Sequence, residues 1–305
     1  MKIRNLEAGR KKQLFILGGG IVLFFLLLVI RPSASEAKAT WLWNTKLIQQ
    51  HSEDIIAFAK KQKVKIIFLQ IGGNVKEESY RNFIREASSA GLEVHALDGK
   101  PEWALREQRR EADAFLEWVK EYNAASQQEE RFTGVQFDVE PYLLDDWQKR
   151  QTAIVKEWVE NARSWTQSAK EMDLEIGAAV PFWLNDIDYP GAEKKKPLNR
   201  WMVEEFDYVA IMAYRDEADR IYTAAKATLE EGDRQKKPVW VGVELGKSKE
   251  GPGVSFHGKS FTFLTGEINK LVRMVKGHSS FAGIAIHSYE PWRDKLAKWE
   301  QSLKK

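Results

Sequence analysis

From residue 40 onward the chain alternates short apolar runs, rich in β-branched and aromatic residues, with charged stretches whose apolar residues recur every three or four positions. The runs at 40–43, 64–71, 92–97, 134–139, 174–180, 208–213, 238–243 and 282–287 are almost continuously hydrophobic. A strand with one wet face alternates apolar and polar residues, so these runs predict parallel strands covered on both faces. The stretches between them predict helices. Ser52 stands where a cap belongs, ahead of an apolar-periodic segment with Glu53 and Asp54 in its first turn. Residues 76–90 run to Gly91, a left-handed stop, and Pro101 opens a helix carrying Leu105, Ala112, Leu116 and Val119. Residues 145–172 place Ile154, Trp158, Ala162, Trp165 and Ala169 on one side, and 264–275 and 292–303 complete the set. Eight strand–helix alternations predict an α/β chain folded as a (β/α)8 TIM barrel over residues 40–305. An open doubly wound sheet is disfavoured, because Asn44-Thr45-Lys46 follows the first strand with no glycine-rich phosphate loop.

Ahead of the barrel, residues 14–30 are uncharged and largely apolar, behind a basic flank at 1–13. This length suits a short membrane anchor or a long signal-peptide core. Residues 31–39 read as a linker, and Ala37-Lys38-Ala39 has the small-x-small form of a cleavage site. Two outcomes follow: a single-pass anchor with the barrel extracytoplasmic, or secretion after cleavage near Ala39. The basic flank stays inside in both.

Charge sharpens the picture. The net +3 belongs to the leader: residues 1–39 hold seven Lys/Arg and two acids, the remainder 40 basic and 42 acidic residues. A body without excess cations is no nucleic-acid binder. With no cysteine, thiolate nucleophiles, cysteine zinc sites and disulfides are excluded. The five histidines show no metal-ligand spacing, His95 and His287 lie in strand runs as core residues, and no G-x-S-x-G elbow occurs. No metal, no cofactor and a monomeric state are expected. Twelve tryptophans supply core, with a few available to stack on a flat, hydroxyl-rich ligand such as an oligosaccharide or polysaccharide.

Barrel chemistry sits where strands end at the C-terminal face. The fourth strand reads Gly134-Val135-Gln136-Phe137-Asp138-Val139-Glu140-Pro141-Tyr142. Residues two apart share a side, so Gln136, Asp138 and Glu140 form one inward row and Val135, Phe137 and Val139 face the helices. Burying three polar residues in a row is costly unless they are used. Two neighbouring acids resist joint ionisation, which keeps one protonated near neutrality, as a glycosidase acid must be. A buried network paired with bases is the structural alternative.

This strand resembles that of glycoside hydrolase family 18, the chitinase-like barrels, whose pattern is D-G-x-D-x-D-x-E. Gly134, Asp138 and Glu140 match, while Thr133 and Gln136 replace the two earlier aspartates. The sixth strand, Phe206-Asp207-Tyr208-Val209-Ala210-Ile211-Met212-Ala213-Tyr214, is similar to the family's F-D-x-(x)3-M-x-Y run. The resemblance implies that Glu140 is the general acid, that Asp138 orients a substrate acetamido group acting as nucleophile, and that Tyr214 hydrogen-bonds that acetamide. It implies a hydrolase of an N-acetylated cell-wall or surface glycan, which the leader places outside the cytoplasm. Gln136 cannot extend a carboxylate relay below Asp138. Arg215 stands where the family often has an aspartate, suiting an acid partner or an anionic sugar.

Other strand ends supply substrate-binding candidates: Asn44, Gln70, Asp98, Trp183, Met212 and Glu244, with Gln136 and Arg215. Tyr289, Glu290 and Trp292 follow the eighth strand, and Tyr289 with Trp292 forms either a sugar-stacking floor or ordinary core. The loops 185–199, with Lys194-Lys195-Lys196, and 246–259 are long enough to shape a cleft. Two alternatives stand beside the family reading. One is a two-glutamate retaining glycosidase with Glu140 as acid/base and Glu244 as nucleophile. The other is a catalytically inactive barrel that binds glycans or partners.

Overall fold

The computed structural model describes residues 37–191 and 195–304. The basic flank 1–13, the apolar segment 14–30 and residues 31–36 of the linker lie outside the described residues. No helix among the described residues is long and apolar enough to cross a membrane.

Strand and helix alternate throughout. β1 (Lys38–Leu42) precedes α1 (Leu47–Gln50) and α2 (Ser52–Lys61), and β2 (Val64–Gln70) precedes α3 (Glu77–Ser89). β3 (Glu93–Asp98) leads to α4 (Arg109–Ala124), β4 (Gly134–Phe137) to α5 (Trp147–Glu171) and β5 (Glu175–Pro181) to α6 (Leu198–Glu205). β6 (Tyr208–Met212) leads to α7 (Ala218–Gln235), β7 (Val239–Glu244) to α8 (Phe261–Val275) and β8 (Phe281–His287) to α9 (Tyr289–Ser302). Neighbouring strands are parallel, and β8 pairs back with β1 to close the barrel. The (β/α)8 architecture is as the runs predict.

Two apolar layers explain the strand composition. Inside, Ala37, Ala39, Trp41, Ile66, Phe68, Leu97, Tyr208, Ala210, Trp240 and Ala285 fill the barrel. A filled interior leaves chemistry to the rim. Outside, the opposite faces of the same strands meet the helices: Phe137 of β4 stacks on Trp165 of α5, centroids 4.6 Å apart and planes 4° from parallel. With Val135, Phe137 and Val139 buried in this outer layer, β4 turns Gln136 inward. Eight of the twelve tryptophans are buried; Trp43, Trp118, Trp183 and Trp299 stay partly exposed.

Several element boundaries differ from expectation. β1 begins at Lys38, so Lys38 and Ala39 belong to the barrel and not to a linker. Ser52 is the first residue of α2 and caps nothing; its hydroxyl donates to Glu86 Oε2 at 2.5 Å. Pro101 opens only a 3-10 turn, Pro101–Ala104, because Leu105 is extended and breaks the run before α4. Gly91 does adopt the left-handed conformation (φ 77°), and so do Lys63, Asp173 and Lys236 after α2, α5 and α7.

Candidate active site

β4 ends at Phe137, and the chain leaves the sheet through Asp138, Val139 and Glu140 before a 3-10 turn at Pro141–Leu143. Asp138 is tied to the neighbouring strand by its backbone, its N–H donating to Asp98 O at 3.1 Å. That approach needs Gly99. A Cβ at Gly99 would lie 1.9 Å from Asp138 O, so no other residue fits without moving the acid-bearing segment. Asp98 accepts from Gly99 N–H at 2.8 Å. Burial raises its pKa, opposed by that bond, by Lys100 and by Gln70.

Burial pushes the Asp138 carboxyl up to about 7, reinforced by the Glu140 charge and opposed by His287. Its Oδ1 is buried with no hydrogen-bond partner within the protein. Glu140 is also raised, again chiefly by burial, against a hydrogen bond from Tyr142 and the nearby His287, and with Glu250 of the 246–259 loop adding to the rise. Burial works against ionisation of both acids, and the Glu140 charge adds to the cost of ionising Asp138. The Tyr142 hydroxyl donates to Glu140 Oε2. Burial and the Glu140 charge raise its pKa, so it stays a phenol. The Tyr142 ring meets Trp183 edge-on at 4.8 Å, which builds a half-exposed aromatic wall beside the acid. Tyr214 is likewise held as a phenol, by burial and by Glu244, Asp138 and Glu140. Gly242 makes room for its ring, since a Cβ there would meet Tyr214 Cε1 at 3.2 Å and Ile211 O at 2.7 Å.

Opposite lies a linked trio: Trp43 just after β1, Glu244 at the end of β7 and His287 at the end of β8. Trp43 donates Nε1–H to His287 Nε2 at 2.9 Å. The other ring nitrogen, Nδ1, therefore carries the hydrogen, which goes to Glu244 Oε2 at 2.7 Å. Glu244 Oε1 accepts from Gly246 N–H at 2.5 Å, so both of its oxygens are engaged. Burial works against a charge on His287, but the Glu244 hydrogen bond and the charges of Glu244, Asp138 and Glu140 outweigh it and raise its pKa.

The remaining candidates divide. Met212 is inward on β6 and 8% exposed. Arg215 lies over the Phe182 ring at 4.7 Å and donates to Tyr214 O, so it rests on the loop after β5 and not on an acid. Asn44 reaches Glu290 at 3.5 Å on the rim. Glu290 borders a groove of about 920 Å3 between the 246–259 loop and α9. Two expectations fail. Gln136 is 0% exposed, one layer below the rim, and cannot touch a ligand; both amide atoms lack partners. Tyr289 and Trp292 are 1% and 3% exposed and pack edge-on against Phe58 of α2, as core between helices and not as a sugar floor. Lys195 and Lys196 pair with Asp188 and Glu204, and Lys194 lies outside the described residues.

Sequence reasoning missed Trp43, Gly99 and Tyr142, and it placed His287 in the core. Strand position could have found His287, since it ends β8 as Glu244 ends β7, in register with it. Nothing local marks Trp43 as its partner.

No protein-family model matches the sequence, and no curated protein matches it. Solved structures do share its fold. The glycoside hydrolase domain of PgaB (BpsB) from Bordetella bronchiseptica superposes with a TM-score of 0.52 at 10% identity, covering 85% of this chain and 95% of that one. The spore cortex-lytic enzyme SleL of Bacillus megaterium QM B1551 gives 0.53 at 11%, covering 82% and 69%. The C-terminal domain of a protein assigned as a chitinase in Desulfitobacterium hafniense DCB-2 gives 0.51 at 13%, covering 72% and 71%. At such identities the likeness establishes the fold alone, a (β/α)8 TIM barrel.

Proposed function

We propose that the chain is a glycoside hydrolase of an N-acetylated cell-wall or surface glycan, anchored through residues 14–30 with its barrel outside the cell. One observation carries this reading. Asp138 and Glu140 are two carboxyls raised by burial where β4 leaves the barrel, with an aromatic wall beside the acid. Glu140 protonates the glycosidic oxygen as the bond to the leaving sugar breaks. The substrate's own acetamide oxygen attacks the anomeric carbon, and the Asp138 carboxylate accepts the acetamide N–H. Tyr214, kept as a phenol, donates to the same acetamide. Glu140, now a carboxylate, takes a proton from the water that opens the cyclic intermediate, which restores the acid and retains configuration.

Likeness to the PgaB and SleL structures supports the reading at the level of fold. The two-glutamate alternative is less well supported, since Glu244 spends both oxygens on Gly246 and His287. Hydrolysis of chitooligosaccharides and peptidoglycan fragments tests the assignment. Glu140→Gln is expected to lower kcat by roughly 100-fold or more with KM nearly unchanged. Equal, near-zero turnover of parent and variant across the panel would point instead to a barrel that binds glycans without cleaving them.

A further inference from the structure

At the opposite, N-terminal end of the barrel the inward positions are polar in a pattern the hydrolase reading does not use. His95 of β3, Gly134 of β4 and Glu175 of β5 lie in one row across three strands. Glu93 precedes His95 by two residues and so shares its side. His95 is completely buried, and glycine is required beside it: a Cβ at Gly134 would lie 2.7 Å from the imidazole Cε1 and 2.6 Å from Glu175 O. Gly177 likewise clears the ring of Tyr208, which a Cβ would meet at 2.1 Å. Two glycines thus open space for a polar pair inside a packed barrel. Tyr208 OH and His95 Nδ1 are 2.7 Å apart. The other ring nitrogen, Nε2, has no hydrogen-bond partner in the protein. It points between two carboxylates, 3.7 Å from Glu175 Oε2 and 4.0 Å from Glu93 Oε2.

We propose that Glu93, His95 and Glu175 form a binding site for a first-row divalent cation, zinc foremost, which clamps β3 to β5 beneath the acid-bearing strand. The three donor atoms lie within 4.8 Å of one another. Bonds of about 2.0–2.2 Å require donors roughly 3.4 Å apart, so each glutamate closes on Nε2 by about 0.3–0.6 Å and the two carboxylates on each other by no more than about 1.4 Å. Both can, being 38% and 40% exposed at the barrel mouth, while the imidazole is fixed. Tyr208 plays the supporting part: accepting from Nδ1–H, it leaves the Nε2 lone pair for the metal. Lys65 sits 3.6 Å from the other oxygen of Glu93, Oε1, and leaves Oε2 to the site. One imidazole and two carboxylates make a borderline donor set that suits zinc or cobalt over calcium or magnesium.

The test uses the full-length chain, stripped with chelator and titrated separately with Zn2+, Co2+, Ca2+ and Mg2+. Zinc is expected to bind one to one and, at a hundredfold excess over Kd, to raise Tm by about 5 °C. Cobalt is expected to give a visible absorption band. Glu93→Gln and Glu175→Gln, half-exposed and safe for folding, are each expected to lose at least tenfold in zinc affinity along with the cobalt band. No stoichiometric zinc or cobalt binding by the parent overturns the site. So does undiminished binding in the two variants, or a preference for calcium or magnesium.

Discussion

Asp138 carries opposed demands, because the burial that keeps a proton available near neutrality also makes its ionised form costly. Its raised pKa has a stability consequence of definite sign. Between the unfolded value near 3.8 and the folded value of about 7, the folded protein holds the proton more tightly. The stabilisation is therefore complete below pH 4 and lost as pH rises through 7. Asp138→Asn, which cannot ionise, is expected to melt several degrees above the parent at pH 8 and close to it at pH 4, by calorimetry at both values. A parent Tm that does not fall relative to the variant across that interval would show that Asp138 ionises without penalty. At this scale the sequence was half legible. Period-two alternation in one strand points to Asp138 and Glu140, because a buried polar row stands out against an apolar run. The Trp43–His287–Glu244 trio was not legible, since its members stand at the ends of three strands that meet only when the barrel closes.

Elements position the pair through backbone contacts more than through side chains. β4 is held on its outer side by Phe137 stacked on Trp165, and at its end by the Asp138 N–H bond to Asp98 O, over which Gly99 lies flat. A methyl group at Gly99 must displace the Asp138 carbonyl. Gly99→Ala is thus expected to cost roughly 2 kcal/mol of stability and to depress kcat by about tenfold or more, with a smaller change in KM. Urea unfolding and steady-state kinetics read the two effects. Normal kcat in a destabilised variant would uncouple the turn from the acid. The same scale explains why strands were read well and helix starts poorly. A strand buried on both faces writes itself as an uninterrupted apolar run, which survives an error of one residue. Helix starts depend on local competition: Ser52 bonds Glu86 on α3 and not its own backbone, and extended Leu105 splits the segment that Pro101 opens. Of the left-handed helix ends only Gly91 was visible, because Lys63, Asp173 and Lys236 carry no such mark in sequence.

Closure of the whole barrel bears on where the mature chain begins. β1 meets β8 through Lys38, Ala39 and Thr40, opposite Ile284, Ala285 and Ile286, and Ala37 O accepts from Ile284 N–H at 3.2 Å. Ala37 and Ala39 also fill the barrel interior. The small-x-small segment that resembles a cleavage site is thus part of the fold, and cutting after Ala39 removes two of the three residues that join the last strand to the first. At about 1 kcal/mol for each lost backbone hydrogen bond, a chain starting at Thr40 is expected to be less stable by roughly 2–4 kcal/mol than one starting at Ala37. That difference corresponds to a Tm lower by about 5 °C or more. Of the two forms left open for an exported chain, the one cut after Ala39 is therefore expected to be the less stable. Intact-mass measurement decides: a product beginning at Thr40 that melts with the longer chain would show that β1 is dispensable for closure and would favour secretion over anchoring.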